Sequence, residues 1–180
     1  ENVTQEELGG AKTHTSKSSV ADGAYENDIE TLYEVKRLID LLPSSNREKS
    51  IRQTSEYQDL SPDPSLDTLV PDNPNKPYDM LELLNKVVDN SDFFQIQAEF
   101  AKNMIIGFGR VEGRTVGFVA NQPLVLAGCL DMDASKKAAR FVRFCDCFNI
   151  PIVTFVDVPG FLPGVSQEHN GIIKNGAKLL

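Results

Sequence analysis

The segment MIIGFGRVEGRTVGFVAN, residues 104–121, has the pattern of two strands joined by a turn. Apolar and small residues dominate both of its halves, over Met104–Val111 and Thr115–Asn121. The Glu112-Gly113 pair between them is typical of a tight hairpin turn. We therefore expect an antiparallel hairpin in the middle of the chain.

Three further elements are predicted after the hairpin. Residues 134–148 mix apolar and basic residues at helical spacing, with Ala138, Ala139, Phe141 and Val142 inward and Lys136, Lys137, Arg140 and Arg143 on a solvated outer face. Residues 151–156 are almost wholly apolar, which is typical of a buried strand. Residues 167–180 have the pattern of a helix. The order hairpin, helix, strand, helix indicates α/β layering of the ββα type.

The first half of the chain suggests a division into two lobes. Residues 1–25 have the composition of a loop, and 27–42 form a helical pattern with one apolar stripe. Proline, Asp, Asn and Ser then dominate 44–78, as in a linker. A second helix is predicted over 79–88 and a short strand over 93–97. We assign 1–43 to the end of a first lobe, 44–78 to an inter-lobe linker and 79–180 to the first part of a second lobe.

Composition excludes several classes of protein. The chain has 180 residues, of which 41% are hydrophobic, and a net charge of -8. That charge argues against a non-specific nucleic-acid or acidic-membrane binder, which needs a basic face. The three cysteines, Cys129, Cys145 and Cys147, form no C-x-x-C pair and favour a reducing compartment. The chain begins at Glu1 and stops within a helical pattern, so we expect a piece of a longer protein.

The segment Asp157-Val158-Pro159-Gly160-Phe161-Leu162-Pro163-Gly164 is the best candidate for chemistry. It follows a predicted buried strand and precedes a helix, and it contains two Pro-Gly steps. Proline fixes φ and glycine permits positive φ, so the loop is stiff and can turn main-chain groups outward. In α/β proteins ligands gather at the carboxyl ends of strands. The alternative interpretation is an ordinary strand-to-helix turn.

Other candidates carry less weight. Neither His14 nor His169 lies beside a Ser or Cys elbow motif, so no nucleophile–base pair is indicated. Asp131 and Asp133 are better explained by a helix cap than by a metal site. Arg110 ends a predicted strand, where its guanidinium could meet a carboxylate.

A long ordered series of segments resembles the carboxyltransferase (β) subunits of biotin-dependent acyl-CoA carboxylases of the propionyl-CoA type. The segments are Glu6–His14, Phe108–Arg110, Glu112–Pro123, Lys137–Asp146, Asn149–Pro151, Thr154–Gly164, Gln167-Glu168 and Gly171–Ile173. They cover essentially the whole chain, and their order is more specific than any single motif.

The resemblance implies a fold, an activity and partners. It implies a crotonase-like (ClpP/crotonase) spiral of ββα units in two lobes, both incomplete here. It also implies transfer of a carboxyl group from carboxybiotin to the α-carbon of propionyl-CoA, a coenzyme A thioester, to give methylmalonyl-CoA. Such subunits form homohexamers with a biotin-carrying α subunit, in the cytoplasm of bacteria or in the mitochondrial matrix. Neither nucleic acid nor membrane is an expected partner.

The resemblance also assigns site residues. The Pro-Gly-Phe loop of the family lines the biotin site, so the main chain of Gly160 and Phe161 would contact the ureido ring, with Pro159, Leu162 and Gly164 completing the wall. Arg110 matches a position near the transferred carboxylate, and no metal is implied. The two oxyanion-hole segments of the family match nothing in this chain, so we expect it to be inactive alone.

Three alternatives stay open. The first is a related methylmalonyl-CoA decarboxylase or transcarboxylase subunit, which shares the chemistry. The second is a crotonase-type hydratase or isomerase, for which Glu168 is the nearby acid–base candidate. The third is an assembly or interface module without activity.

Overall fold

The computed structural model describes residues 2–54 and 61–180. In chain order its helices and strands are α1 (Gln5–Gly9), α2 (Ala11–Ser16), α3 (Asp28–Leu41), α4 (Met80–Val87), β1 (Phe94–Ile96), β2 (Met104–Val111), β3 (Arg114–Asn121), α5 (Met132–Cys147), β4 (Ile152–Phe155), α6 (Val165–His169) and α7 (Ile172–Ala177). Short 3-10 turns lie at Pro64–Leu66, Asp89–Ser91 and Leu126–Gly128. Within the described residues, no helix has the length and apolar character needed to cross a bilayer.

The four strands form one sheet in the order β1-β2-β3-β4. Strands β1, β2 and β3 pair antiparallel, and Val111 opposes Arg114 at the predicted hairpin turn. Strand β4 then pairs parallel to β3, with Gly117 opposite Ile152. Because parallel neighbours need a crossover, α5 connects them. The mixed α/β fold and its ββα order are therefore confirmed.

Helices cover both faces of this sheet. On one face Phe108 packs against Phe141 of α5, with ring centroids 5.0 Å apart, and Leu41 of α3 belongs to the same core cluster. On the other face Phe118 is fully buried beside Leu84 of α4. Burial of each such side chain stabilises the fold by about 1.5–3 kcal/mol. Since α3 shares a core with β2 and α5, the division into two lobes stays a prediction.

Lys137 does not lie on the predicted solvated face of α5, and this expectation is wrong. Its side chain is 2% exposed. Its Nζ lies within hydrogen-bond distance of four carbonyl oxygens, those of Gln97 (2.9 Å), Phe100 (2.7 Å), Ala101 (3.3 Å) and Met104 (2.6 Å). The reason is helical periodicity, because buried Ala134 and Phe141, three residues before and four after, share its face. Lys136, Arg140 and Arg143 are exposed as predicted.

The terminal segments also differ from expectation. Part of the predicted loop over 1–25 is helical, because Thr4 and Glu7 form a capping box that starts α1, and α2 follows. The predicted helix over 167–180 is two helices. Gly171, with φ of +80°, interrupts it between α6 and α7.

Two surfaces predicted to be buried are partly open in this chain. Strand β4 lies at one edge of the sheet, and Val153 is 41% exposed. The apolar stripe of α3 is divided. Leu38 and Leu42 pack against the core, whereas Ile29 is 82% and Leu32 is 63% exposed.

Candidate functional site

The 157–164 loop lies at the carboxyl ends of β3 and β4, and hydrogen bonds hold it at both ends. At its start the Asp157 N–H donates to Oδ1 of Asn121, the last residue of β3, at 3.1 Å. Further along, the Leu130 N–H donates to the Gly160 carbonyl at 3.0 Å, and the Leu162 N–H donates to the Leu130 carbonyl at 2.7 Å. The loop is therefore held at its start by the end of β3 and in its middle by Leu130.

This anchoring leaves the main chain of Phe161 free. Leu130 and Phe161 form a single parallel bridge, in which Leu130 bonds to the residues on either side of Phe161. In that arrangement the N–H and C=O of Phe161 point away from Leu130. Neither group has a hydrogen-bond partner within residues 2–54 and 61–180. The loop thus presents one main-chain donor and one acceptor outward.

The two glycines of the loop allow this geometry. Gly160 has φ of +149° and Gly164 has φ of +148°, a backbone conformation that residues other than glycine rarely adopt. A Cβ atom at either position would meet no atom within 4 Å. The main chain at these glycines is therefore open to close approach by a ligand. Phe161 itself is 55% exposed, and its ring lies against Gly176 of α7.

A groove of about 710 Å³ adjoins the loop. One wall is the loop itself, through Asp157, Val158 and Pro159, and Pro123 and Ala127 also line it. The facing wall is the end of the predicted linker, residues 70–78. Its lining is therefore rich in proline, which makes the walls stiff.

A hydrogen bond joins the two walls of the groove. The Tyr78 hydroxyl donates to Oδ2 of Asp157 at 2.8 Å. Burial raises the pKa of Tyr78 to about 12, and the bond to the Asp157 carboxylate and its charge contribute in the same direction. The hydroxyl therefore stays protonated, and remains a donor, throughout the neutral range.

Arg110 lies at the other end of the sheet. It pairs with Thr115 in the register, whereas Met104 pairs with Asn121 beside the loop. The separation along β2 is about 20 Å. The Arg110 Nη2 donates to the Asp40 carboxylate at 2.7 Å and to the Asp40 carbonyl at 3.0 Å. Its carboxylate partner in this chain is thus Asp40, and the structure does not bring it together with the loop.

The weaker candidates have ordinary surroundings. Asp131 caps α5 by accepting a hydrogen bond from the Ala134 N–H at 2.7 Å, which confirms the predicted cap. His14 contacts Ser18 through Nδ1 at 2.9 Å. Glu168 is exposed on α6.

Sequence reasoning missed Tyr78 and Asn121 as parts of this region. Asn121 is the last residue of β3, as the pattern predicts, but Asn is depleted in strands, and its place at the strand end is a signal for a side-chain role. Tyr78 carried no comparable signal, because its partner Asp157 is 79 positions away in the sequence.

Comparison with known proteins assigns the chain to a family. The carboxyl transferase domain matches residues 1–180. The chain belongs to the carboxyl transferase domain family. It is 68% identical over 181 residues to the propionyl-CoA carboxylase beta chain of Roseobacter denitrificans and 54% identical to the mitochondrial propionyl-CoA carboxylase beta chain of Homo sapiens. These matches cover 100% of this chain but 35% and 33% of the relatives. The carboxyl transferase chain thus spans about a third of their length.

Solved structures agree with this family assignment. Transcarboxylase 12S, described as a hexamer assembly with methylmalonyl-CoA and methylmalonic acid bound, matches with a TM-score of 0.96 and 47% identity. That match covers 99% of this chain and 34% of the transcarboxylase chain. A single-chain long-chain acyl-CoA carboxylase, at 21% identity and a TM-score of 0.81, shows the fold alone. The crotonase-like fold expected for a carboxyl transferase domain is confirmed.

Proposed function

We propose that this carboxyl transferase domain is part of a subunit that transfers a carboxyl group from carboxybiotin to the α-carbon of propionyl-CoA, giving methylmalonyl-CoA. The identity to propionyl-CoA carboxylase beta chains over the whole of this chain supports the reaction and the substrate. The methylmalonyl-CoA bound to transcarboxylase 12S supports the same acyl group.

The observation that carries the proposal is the free main chain of Phe161, in a loop whose first residues, Asp157 to Pro159, line an open groove. The ureido ring of biotin offers one carbonyl acceptor and N–H donors in a compact ring. The free N–H and C=O of Phe161 are complementary to it. The absence of any atom within 4 Å of a Cβ at Gly160 leaves room for the ring to approach the backbone. The residues of the loop therefore fit this group.

Each residue of the loop has a part in this proposal. Phe161 binds the ureido ring through its main chain, and Gly160 permits the approach. Pro159 forms part of the groove wall, Leu162 holds the loop to Leu130, and Gly164 permits the turn into α6. Carboxybiotin, when bound, supplies an activated carboxyl group. The fixed loop orients it and excludes water from one side.

Arg110 is kept separate from this part of the proposal. Its contact with the transferred carboxylate stays a prediction, because the guanidinium has Asp40 as its partner and lies at the far end of β2.

The proposal also includes partners and a compartment. We infer a homohexamer, supported by the hexamer of transcarboxylase 12S, together with a biotin-carrying α subunit. The acyl-CoA would bind as the second substrate. The compartment would be the cytoplasm in a bacterium and the mitochondrial matrix in a eukaryote, as the mitochondrial name of the human relative suggests.

A transcarboxylase subunit is the second candidate, because transcarboxylase 12S is 47% identical. The full-length subunit can be assayed in the reverse direction, with methylmalonyl-CoA and free biotin as substrates and propionyl-CoA as the measured product. We expect propionyl-CoA to form, and no product would contradict the proposal. With the purified biotin-carrying partner, ATP and bicarbonate would then support methylmalonyl-CoA synthesis in a carboxylase, whereas a transcarboxylase would require a keto-acid acceptor or donor.

A further inference from the structure

Three separate segments meet at the start of the 157–164 loop. Asn121, 5% exposed at the end of β3, accepts a hydrogen bond from the Asp157 N–H through Oδ1. Its Nδ2 donates to the carbonyl of Gly128 at 3.1 Å. The Asn121 amide thus joins the strand end, the 126–128 turn and the loop, and it fixes the main chain of Asp157.

The segment around Tyr78 is equally rigid. Gln122, 6% exposed, donates through Nε2 to Asp79 at 2.6 Å and accepts through Oε1 from the Met80 N–H at 3.2 Å. Asp79 also caps α4 by accepting from the Leu81 N–H. Tyr78 is therefore held immediately next to a fixed helix start, and its ring packs against the core beneath α4.

The Tyr78 hydroxyl connects this rigid segment with the loop. The main chain of Asp157 is fixed by Asn121, and its carboxylate accepts from Tyr78 at 2.8 Å. Pro159 follows after one residue and restricts the backbone. An orientation imposed at Asp157 is therefore passed along a short, stiff segment to Gly160 and Phe161.

We propose that Tyr78 is a positioning residue, whose hydroxyl acts through Asp157 to set where the 157–164 loop presents the free main chain of Phe161. The expected change in the kinetics of carboxyl transfer rests on the proposed function, whereas the expected change in the position and mobility of the loop does not. Tyr78 itself touches no reacting atom in this role, so its loss changes the placement of the loop and not the chemistry.

The test uses the full-length subunit with the variant Tyr78→Phe, which keeps the ring and removes only the hydroxyl. Hydrogen–deuterium exchange of peptides covering 157–164 should become faster, while exchange in β2 and β3 stays unchanged. Tyr33→Phe is the matched control, because Tyr33 is 63% exposed on α3, far from the loop in sequence. Equal exchange of the loop in wild type and Tyr78→Phe would overturn the proposal.

Kinetics give a second, independent readout in the reverse reaction with free biotin. We expect about a fivefold fall in kcat/KM for biotin, the size expected for one exposed hydrogen bond to a carboxylate. The KM for methylmalonyl-CoA should not change. A parallel rise in both KM values would indicate a general structural defect and contradict the proposal.

Variants of Asp157 complete the test. Asp157→Asn keeps an acceptor for the Tyr78 hydroxyl, so the loop should exchange at the wild-type rate. Asp157→Ala removes the acceptor, so the loop should exchange as fast as it does in Tyr78→Phe. If Tyr78 acts through Asp157, the double variant Tyr78→Phe/Asp157→Ala should show the same loop exchange and the same kcat/KM for biotin as Asp157→Ala. Additive effects of the two substitutions would overturn the coupling. A wild type that transfers no carboxyl group would refute the proposed function alone, since the exchange experiment would still decide the role of Tyr78.

Discussion

The Nζ atom of Lys137 lies 2.6 Å from the carbonyl oxygen of Met104, the first residue of β2. The same nitrogen lies within hydrogen-bond distance of the carbonyls of Gln97, Phe100 and Ala101. A single side chain on α5 therefore contacts the main chain at four positions along the 97–104 connection between β1 and β2. Such a cluster of carbonyls would otherwise require ordered water or a bound cation.

Replacement of Lys137 by Met should destabilise the full-length subunit. The apolar side chain fills the same space but removes the donor that the Phe100 and Met104 carbonyls share, whereas the Gln97 and Ala101 carbonyls keep backbone N–H donors, so we expect a loss of about 3 kcal/mol. Thermal unfolding followed by circular dichroism measures it as a melting temperature lower by several degrees. Lys136→Met is the matched control, because Lys136 is the exposed neighbour on the same helix. Equal melting temperatures for the two variants would contradict this role.

The effect of Lys137 should depend on pH. Burial, with a smaller contribution from Lys102, lowers the pKa of Lys137 from 10.5 to about 7. Between these values the unfolded chain binds more protons than the folded one, so this group favours folding increasingly as pH rises. The difference in melting temperature between wild type and Lys137→Met should therefore widen from pH 7 to pH 9.5. A difference that is constant over this range would show that the folded pKa is not lowered.

Gly160→Val should reduce carboxyl transfer while the subunit still folds. The residue would be strained at φ of +149°, and its side chain would occupy the open space through which a ligand reaches the backbone. A strain of 1–3 kcal/mol together with the blocked approach predicts at least about a tenfold loss of kcat/KM. Gly171→Val places a comparable strain at φ of +80° outside the loop. Equal losses of activity in both variants would mean that the loop is merely structural.

Arg110→Gln and Asp40→Asn should both lower stability, because each weakens the same contact between α3 and β2, and Asp40→Asn also weakens the hydrogen bond from Gln53. The Arg110 side chain is 12% exposed, whereas Asp40 is 58% exposed, so we expect a modest cost of about 1 kcal/mol. We expect neither variant to alter the KM for biotin. Loss of carboxyl transfer in Arg110→Gln, but not in Asp40→Asn, would instead reveal the contact with the transferred carboxylate.

Local patterns were enough to predict much of the fold. The 104–121 hairpin depends on two short runs of apolar and small residues and on a turn between them, all close in sequence. Helix α3 begins within one residue of the predicted start at 27, and Asn27 caps it by accepting from the Glu30 N–H. The first helices were missed although Thr4 and Glu7 have the spacing of a capping box.

The parts of the site that escaped prediction depend on contacts between distant residues. The partner of Tyr78 is 79 positions away, and the partner of Arg110 is 70 positions away. No local pattern encodes such distances. The helical spacing of Lys137 from Ala134 and Phe141 places it on the buried face of α5. Its charge, however, favours the prediction of an exposed position, because lysine is almost never fully buried unless it is paired. The loop was found because its two Pro-Gly steps are local and its family resemblance is specific.

The two bonds between Leu130 and the residues flanking Phe161 have a consequence for the energetics of recognition. The conformational entropy of the loop is lost when the chain folds and not when a ligand arrives. Association should therefore proceed without a preceding rearrangement, with an observed rate that rises linearly with ligand concentration. Because no ordering cost is paid on binding, a small, rigid ring can be held by the few contacts that the main chain of Phe161 offers.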